Sequence, residues 1–250
     1  MPIVETESIV LRSYNLAEAD RIVVFFTRDH GIVRGVAKGA KRLKSRFGST
    51  LEAFSTVNLT YFEKEDRELV IIENVELQTS RFFAASDPDF LRSFSYLVEL
   101  LTALVPPHDP QLTTYRMLKS CLDSGVSDRI GLDAVILYFE FWLLRLAGFL
   151  PSRSCCASCS RQWSNGDEQW LSADLHMFCG RCRNEKRHYR LGVSHVLVLN
   201  SVDNLAPVRF VENTSLHSRA IGELSAYLRP FLSGIIGRDL ARERLAGTAV

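Results

Sequence analysis

The chain has 250 residues, with 30 Lys and Arg against 29 Asp and Glu for a formal net charge of +1, and 46% of its residues are hydrophobic. This balance excludes disordered, collagen-like and coiled-coil chains, and no period recurs that would mark a solenoid. Residues 1–10 carry Glu5 and Glu7 and show no basic segment leading into an apolar run, so no secretory signal is expected.

The first eighty residues read as strands. Residues 8–13, Arg21–Thr27 and 32–37 are short runs rich in Val, Ile and Phe, with a tight reversal at Asp29, His30 and Gly31. Val57, Leu59 and Tyr61 alternate with polar neighbours, and residues 69–77 follow a charged turn containing Glu63, Glu65, Asp66 and Glu68. Residues 41–51, between the third and fourth strands, are too polar for a strand and long enough for a helical turn or two. Five strands with a helix between the third and fourth follow the order of an OB-fold barrel, an order that five-stranded sheets of other topologies share.

After Ser80 the period changes. Phe90, Phe94, Leu97, Val98, Leu101, Leu104 and Val105 fall on one face of a helix, with Ser86 or Asp87 as N-cap, Pro88 in the first turn and Pro106 beyond its end. Leu112–Leu122 is a shorter helix. Residues 130–147 are apolar nearly all round, and residues 132–150 are the most apolar stretch of the chain, yet Asp133, Glu140 and Arg145 interrupt it. Three charges in a bilayer cost on the order of several kcal/mol, so a buried bundle helix ended by Gly148 and Pro151 is predicted rather than a membrane span. Helical periodicity resumes at Leu216, Ala220, Leu224, Tyr227, Leu228, Phe231 and Ile235, where Pro230 should kink or divide the helix. The expected organisation is an α+β multidomain chain: an OB-fold β-barrel over 1–80, a helical domain over 81–150 that resumes over 191–250, and a zinc-binding module over 151–190.

That module holds five of the six cysteines. Cys156 and Cys159 form one CxxC and, nineteen residues on, Cys179 and Cys182 form another, the spacing of a tetrahedral four-thiolate zinc site. Cys155 leaves a shifted register open, although only Cys156 reproduces the spacing of the second pair, and Cys121 lies in a helix as a buried, inert thiol. Four thiolates fill the shell of one Zn²⁺ and leave no open position, which points to a structural ion. A redox dithiol, a catalytic zinc and plain buried cysteines are the competing readings. The His-x-Glu of zinc deaminases is absent, because Met177 and Phe178 follow His176.

Charge is unevenly placed. Arg28, Arg34, Lys38, Lys41, Arg42, Lys44 and Arg46 face the single acid Asp29 across residues 28–50. Five of these cations fall within residues 38–46, a density suited to phosphates on the face of a small barrel, or alternatively to a solvated loop. Arg181, Arg183, Lys186, Arg187 and Arg190 form a second, looser cluster beside the cysteines. Phe25, Phe26, Phe47, Phe54, Tyr61 and Phe62 are candidates for stacking on bases or for the core, and Phe47, with basic and polar neighbours, is the best of them for stacking.

Residues 28–31 (RDHG), 36–41 (VAKGAK), 45–47 (SRF) and 51–54 (LEAF), with the four cysteines and residues 237–240 (GRDL), resemble the bacterial RecO family of recombination mediators over essentially the whole chain. The resemblance implies an OB-fold that binds single- and double-stranded DNA, with Lys38, Lys41, Arg42, Lys44 and Arg46 as contacting cations, to which the charge of the same segment adds Arg34 as a DNA-binding candidate. It implies Cys156, Cys159, Cys179 and Cys182 as ligands of one Zn²⁺. It further implies a non-catalytic, cytoplasmic, nucleoid-associated role: annealing complementary strands and, with RecR, assisting RecA onto DNA coated by single-strand-binding protein, with no membrane partner. Cys155 and Pro230 depart from the family pattern. The alternatives are a zinc-ribbon nucleic-acid-binding regulator and a zinc-dependent nuclease, which would need an open metal position or a carboxylate cluster that the solvated acids of 63–68 do not supply.

Overall fold

One long strand organises the N-terminal half. In the computed structural model, which describes residues 2–16, 18–63, 69–164 and 166–237, β1 (Ile3–Asn15) pairs antiparallel with two neighbours. Its first half runs from Ile3 opposite Phe62 to Ile9 opposite Thr56 on β4 (Thr56–Phe62), and its second half from Ser8 opposite Thr27 to Asn15 opposite Arg21 on β2 (Arg21–Thr27). An irregularity between Val10 and Arg12 bends the strand where it passes from one partner to the other. β3 (Gly31–Ala37) pairs antiparallel with β2 and parallel with β5 (Leu69–Thr79), and β5 returns to β4, so the order β1-β2-β3-β5-β4 closes into a barrel. Val10, Val23, Phe25, Val33, Val57, Leu59, Tyr61, Val70 and Ile72 fill it. The acids at 65, 66 and 68 lie outside the described residues, as do 238–240.

Gly31 has two constraints. Its φ is +66°, and a Cβ there would stand 2.2 Å from the Asp109 carbonyl oxygen. Thr27 accepts a hydrogen bond from the His30 N–H (2.9 Å) and donates to the Gly31 carbonyl (2.8 Å), closing the reversal expected from the sequence.

The connection between β3 and β4 is not the expected helix. It is a chain of tight turns, Arg42 N–H to Gly39 (3.1 Å), Ser45 to Arg42 (2.9 Å) and Thr50 to Phe47 (2.9 Å) among them. Left-handed backbone at Gly39, Gly48 and Phe54 interrupts any helix, and Phe47 and Leu51 turn inward to plug the barrel.

The barrel and the helices to residue 122 fall in one compact unit, 1–127, and the rest of the chain in a second, 128–250, so the stretch expected as one helical domain over 81–150 is shared between them. In the first unit, α1 (Phe82–Ala85) precedes α2 (Pro88–Leu104), whose N-cap Asp87 accepts from the N–H groups of Asp89 and Phe90. Phe54 meets Phe90 and Phe94 at 6.0 and 5.8 Å between ring centroids. α3 (Leu112–Leu122) lays Tyr115 against Phe26, and its Tyr115 hydroxyl and Lys119 ammonium donate to the Glu7 carboxylate at 2.9 and 2.8 Å.

The second unit is built on α4 (Arg129–Leu146), buried along most of its length and capped by Asp128. Its Tyr138 hydroxyl donates to the Leu205 carbonyl (3.1 Å) and the Trp142 indole to that of Val202 (2.9 Å). Residues 151–190, in which the sequence shows little pattern, hold a small antiparallel sheet of β6 (Gln169–Ser172), β7 (Met177–Cys179) and β8 (His188–Leu191) in the order β7-β6-β8. α5 (Val193–Asn204) and α6 (Pro207–Thr214) precede α7 (Ser218–Ile236). Of the two outcomes expected at Pro230, division does not occur: α7 runs continuously through it and ends at Gly237 with φ +71°. The His195 Nδ1 accepts from the Gly192 N–H (3.1 Å), so Nε2 carries the proton and donates to Glu223 (2.8 Å), tying α5 to α7. Among the described residues no helix is long and apolar enough to cross a membrane.

Candidate metal centre and candidate nucleic-acid interface

Cys156, Cys159, Cys179 and Cys182 converge, their sulfurs all lying within 4.8 Å of one another, and Cys155 is not among them. The first pair sits in a hairpin closed by the Cys156 N–H to the Arg161 carbonyl (2.9 Å), with Ser160 at φ +57°. The second begins on the last residue of β7, where the Cys182 N–H reaches the Cys179 carbonyl (3.0 Å). A hydrogen bond from Ala157 N–H to Met177 O (2.8 Å) brings the two together. Zinc–thiolate bonds of about 2.3 Å in a tetrahedron put sulfurs about 3.8 Å apart, and the Cys159 and Cys179 sulfurs are separated by 3.9 Å.

The local electrostatics suit thiolates. Burial opposes ionisation of Cys156, but backbone N–H groups of Cys159, Cys179 and Ser158 outweigh it and bring the thiol down to about 6. The N–H of Cys182 holds Cys179 down, against burial. Ser158 pulls Cys182 down, yet the Cys179 and Cys159 sulfurs push it up to about 11, because four adjacent thiols cannot all ionise without a compensating cation. The four residues therefore fit a metal ion. Cys121 stands apart in α3, its thiol pushed well up by burial.

On the barrel, Arg34 is exposed on β3, and Lys38, Lys41, Arg42, Lys44 and Arg46 are exposed along the turns that follow. The Asp20 carboxylate accepts from the Gly39 N–H (2.8 Å) and the Ala19 carbonyl from the Lys41 N–H (3.0 Å), so this loop is moored to the β1–β2 connection. Arg46 is committed to the barrel: it reaches the Ile72 carbonyl (3.3 Å) and Glu73 (3.4 Å) and lies 5.0 Å from the centre of the Phe47 ring.

The stacking candidates are corrected by burial. Phe47 is 1% exposed, and Phe25, Phe26, Phe54 and Tyr61 are buried with it, leaving only Phe62 partly open. The rings' apolar area closes the barrel and is worth more there than in water. Tyr14, 49% exposed, lies beyond the first strand expected over residues 8–13, because β1 extends to Asn15. Tyr14 stands opposite Ile22, which stands opposite Val36, and Arg12, Val24 and Arg34 form the next row across the same three strands. Leu43, among the cations, is fully exposed. The alternation Arg12-x-Tyr14 is the signal that an extended strand would have carried.

Fold and site together define a class: an OB-type barrel bearing a cationic loop, followed by a helical unit that carries paired cysteine knuckles. Comparison with known proteins narrows it. Residues 1–81 match the family model "Recombination protein O N terminal" and residues 85–244 the model "Recombination protein O C terminal". A protein named DNA repair protein RecO from Koribacter versatilis is 33% identical over 185 residues, 73% of this chain and 72% of its own. One of the same name from Syntrophobacter fumaroxidans is 32% identical over 225 residues, 86% and 88% of the two chains. The chain belongs to the RecO family of DNA repair and recombination proteins.

Proposed function

We propose that this chain is a non-catalytic recombination mediator that grips single- and double-stranded DNA through the barrel loop, anneals complementary strands and, with RecR, assists RecA onto strands coated by single-strand-binding protein. The observation that carries the reading is the exposed loop of Lys38, Lys41, Arg42 and Lys44 beside a cross-strand row in which Tyr14 is exposed and Ile22 and Val36 are half-buried. Contacts to phosphates carry no sequence information, so they hold any strand, lower the repulsion between two of them and leave specificity to base pairing. Tyr14 offers a ring to unpaired bases. The four cysteines would hold one Zn²⁺, whose filled shell favours a structural over a hydrolytic role. The protein would act in the cytoplasm, at the nucleoid during repair.

Four loop contacts to a single strand give a log–log salt slope of about −2.8. Reversing Lys41, Arg42 and Lys44 to Glu should sharply weaken retention of DNA in a gel shift at moderate salt and leave the thermal melt nearly unchanged. Undiminished retention would remove the loop from the interface.

A further inference from the structure

The small sheet of the cysteine module has two unlike faces. Trp170 on β6 stands opposite both Phe178 and Arg190, whereas Leu171 stands opposite Met177 and Tyr189. Residues directly opposite point to the same side. One face, with Leu171, Met177, Cys179 and Leu191, is therefore buried against the unit. The other carries Phe178, His188, Trp170 and Arg190.

That outer face already accommodates planar stacking. The rings of Phe178 and His188, both partly exposed, lie 4.1 Å apart at an interplanar angle of 22°. Arg183 covers Trp170 at 5.3 Å, which brings the connection between β7 and β8 across this side of the sheet. The buried Trp170 indole N–H meets no acceptor among the described residues. Glu168 and Glu185 hold Arg183 and Arg190 in ion pairs. Arg181, Lys186 and Arg187 on the same connection are exposed and have no ion pair among the described residues.

We infer that this outer face is a second single-stranded nucleic-acid surface, on which bases stack against Phe178 and His188 while Arg181, Lys186 and Arg187 hold the phosphates. Aromatic rings interleaved with uncompensated cations are the requirement for sequence-tolerant binding of a single strand. The inference rests on the nucleic-acid reading above and adds to it a site separate from the barrel loop.

The test uses the full-length, zinc-loaded protein and a fluorescein-labelled thymidine oligonucleotide, followed by anisotropy over a salt series. The R181E/K186E/R187E variant should lower the magnitude of the log–log slope by about 2, from three contacts at about 0.7 each. F178A should bind about fivefold more weakly or worse with its slope unchanged, and F178W should restore binding. Metal content and melting temperature serve as the fold controls. If both the charge variant and F178A bind as the parent does while K41E/R42E/K44E loses the strand, the second surface is overturned and the barrel reading stands. If the charge variant loses metal with its slope intact, those cations only balance the thiolates, and the inference is likewise overturned. A parent protein that ignores the oligonucleotide even in dilute buffer sinks both readings.

Discussion

Glu7 shows how one side chain can fasten a helix to a barrel. Burial works against its charge, but hydrogen bonds from Lys119 and Tyr115 prevail and hold the carboxyl below its ordinary value near 4.5. A depressed carboxyl contributes stability that is complete above its unfolded pKa and fades as pH falls through the folded one. E7Q should therefore melt lower at neutral pH, by about 1–3 kcal/mol, since it weakens charged hydrogen bonds to two part-buried donors. The two melting curves should begin to converge as pH falls below about 4, the unperturbed glutamate range, and meet only below the depressed pKa of the folded state. A gap that stays constant in acid would mean that packing, not charge, is responsible. At Gly31 the cause is steric. G31A must accommodate both φ +66° and a backbone oxygen 2.2 Å from the new Cβ, and a loss of about 1–3 kcal/mol or more is expected in denaturant titration.

Elements differ in how openly the sequence declares them. The bounds of β2 and α3 can be read from it, because each has an unbroken pattern between polar ends. α5 is hidden, since His195-Val196-Leu197-Val198-Leu199 is apolar on every side and rich in β-branched residues, so it carries neither a helical nor an alternating stripe. Strands β6 to β8 have only three or four residues each, too short for a period, and hydrogen bonds around the cysteines set their turns. In the connection after β3 the polar residues are legible but the inward turn of Phe47 is not, because tertiary burial decides it. Phe47 tests this directly: F47A should cost about 3–5 kcal/mol as a core cavity, where an exposed stacking ring would cost almost nothing in stability. The cysteines are legible because ligand spacing is a local property. C159S should lower bound zinc and solubility before it alters DNA affinity, measured by metal analysis alongside anisotropy; the reverse order would place the knuckle itself on DNA.

At the scale of the whole molecule, a net charge of +1 conceals cations gathered at two places, the barrel loop and the cysteine module. One polyanion surface per chain can only neutralise the strand it holds, whereas two surfaces let one chain hold two strands and raise their mutual effective concentration. The two cases differ in their dependence on protein concentration. Neutralisation should accelerate annealing until every strand is covered and then level off. Bridging needs a chain bound to one strand to find a free stretch of the other, so it should peak near one chain per two binding sites and decline once both strands are saturated. Fluorescence annealing of complementary oligonucleotides, bare and coated with single-strand-binding protein, is expected to show that maximum for the parent protein. R181E/K186E/R187E should flatten it to a plateau while keeping strand binding through the barrel. A plateau for the parent as well would assign annealing to charge neutralisation alone, because bridging cannot survive saturation of both partners.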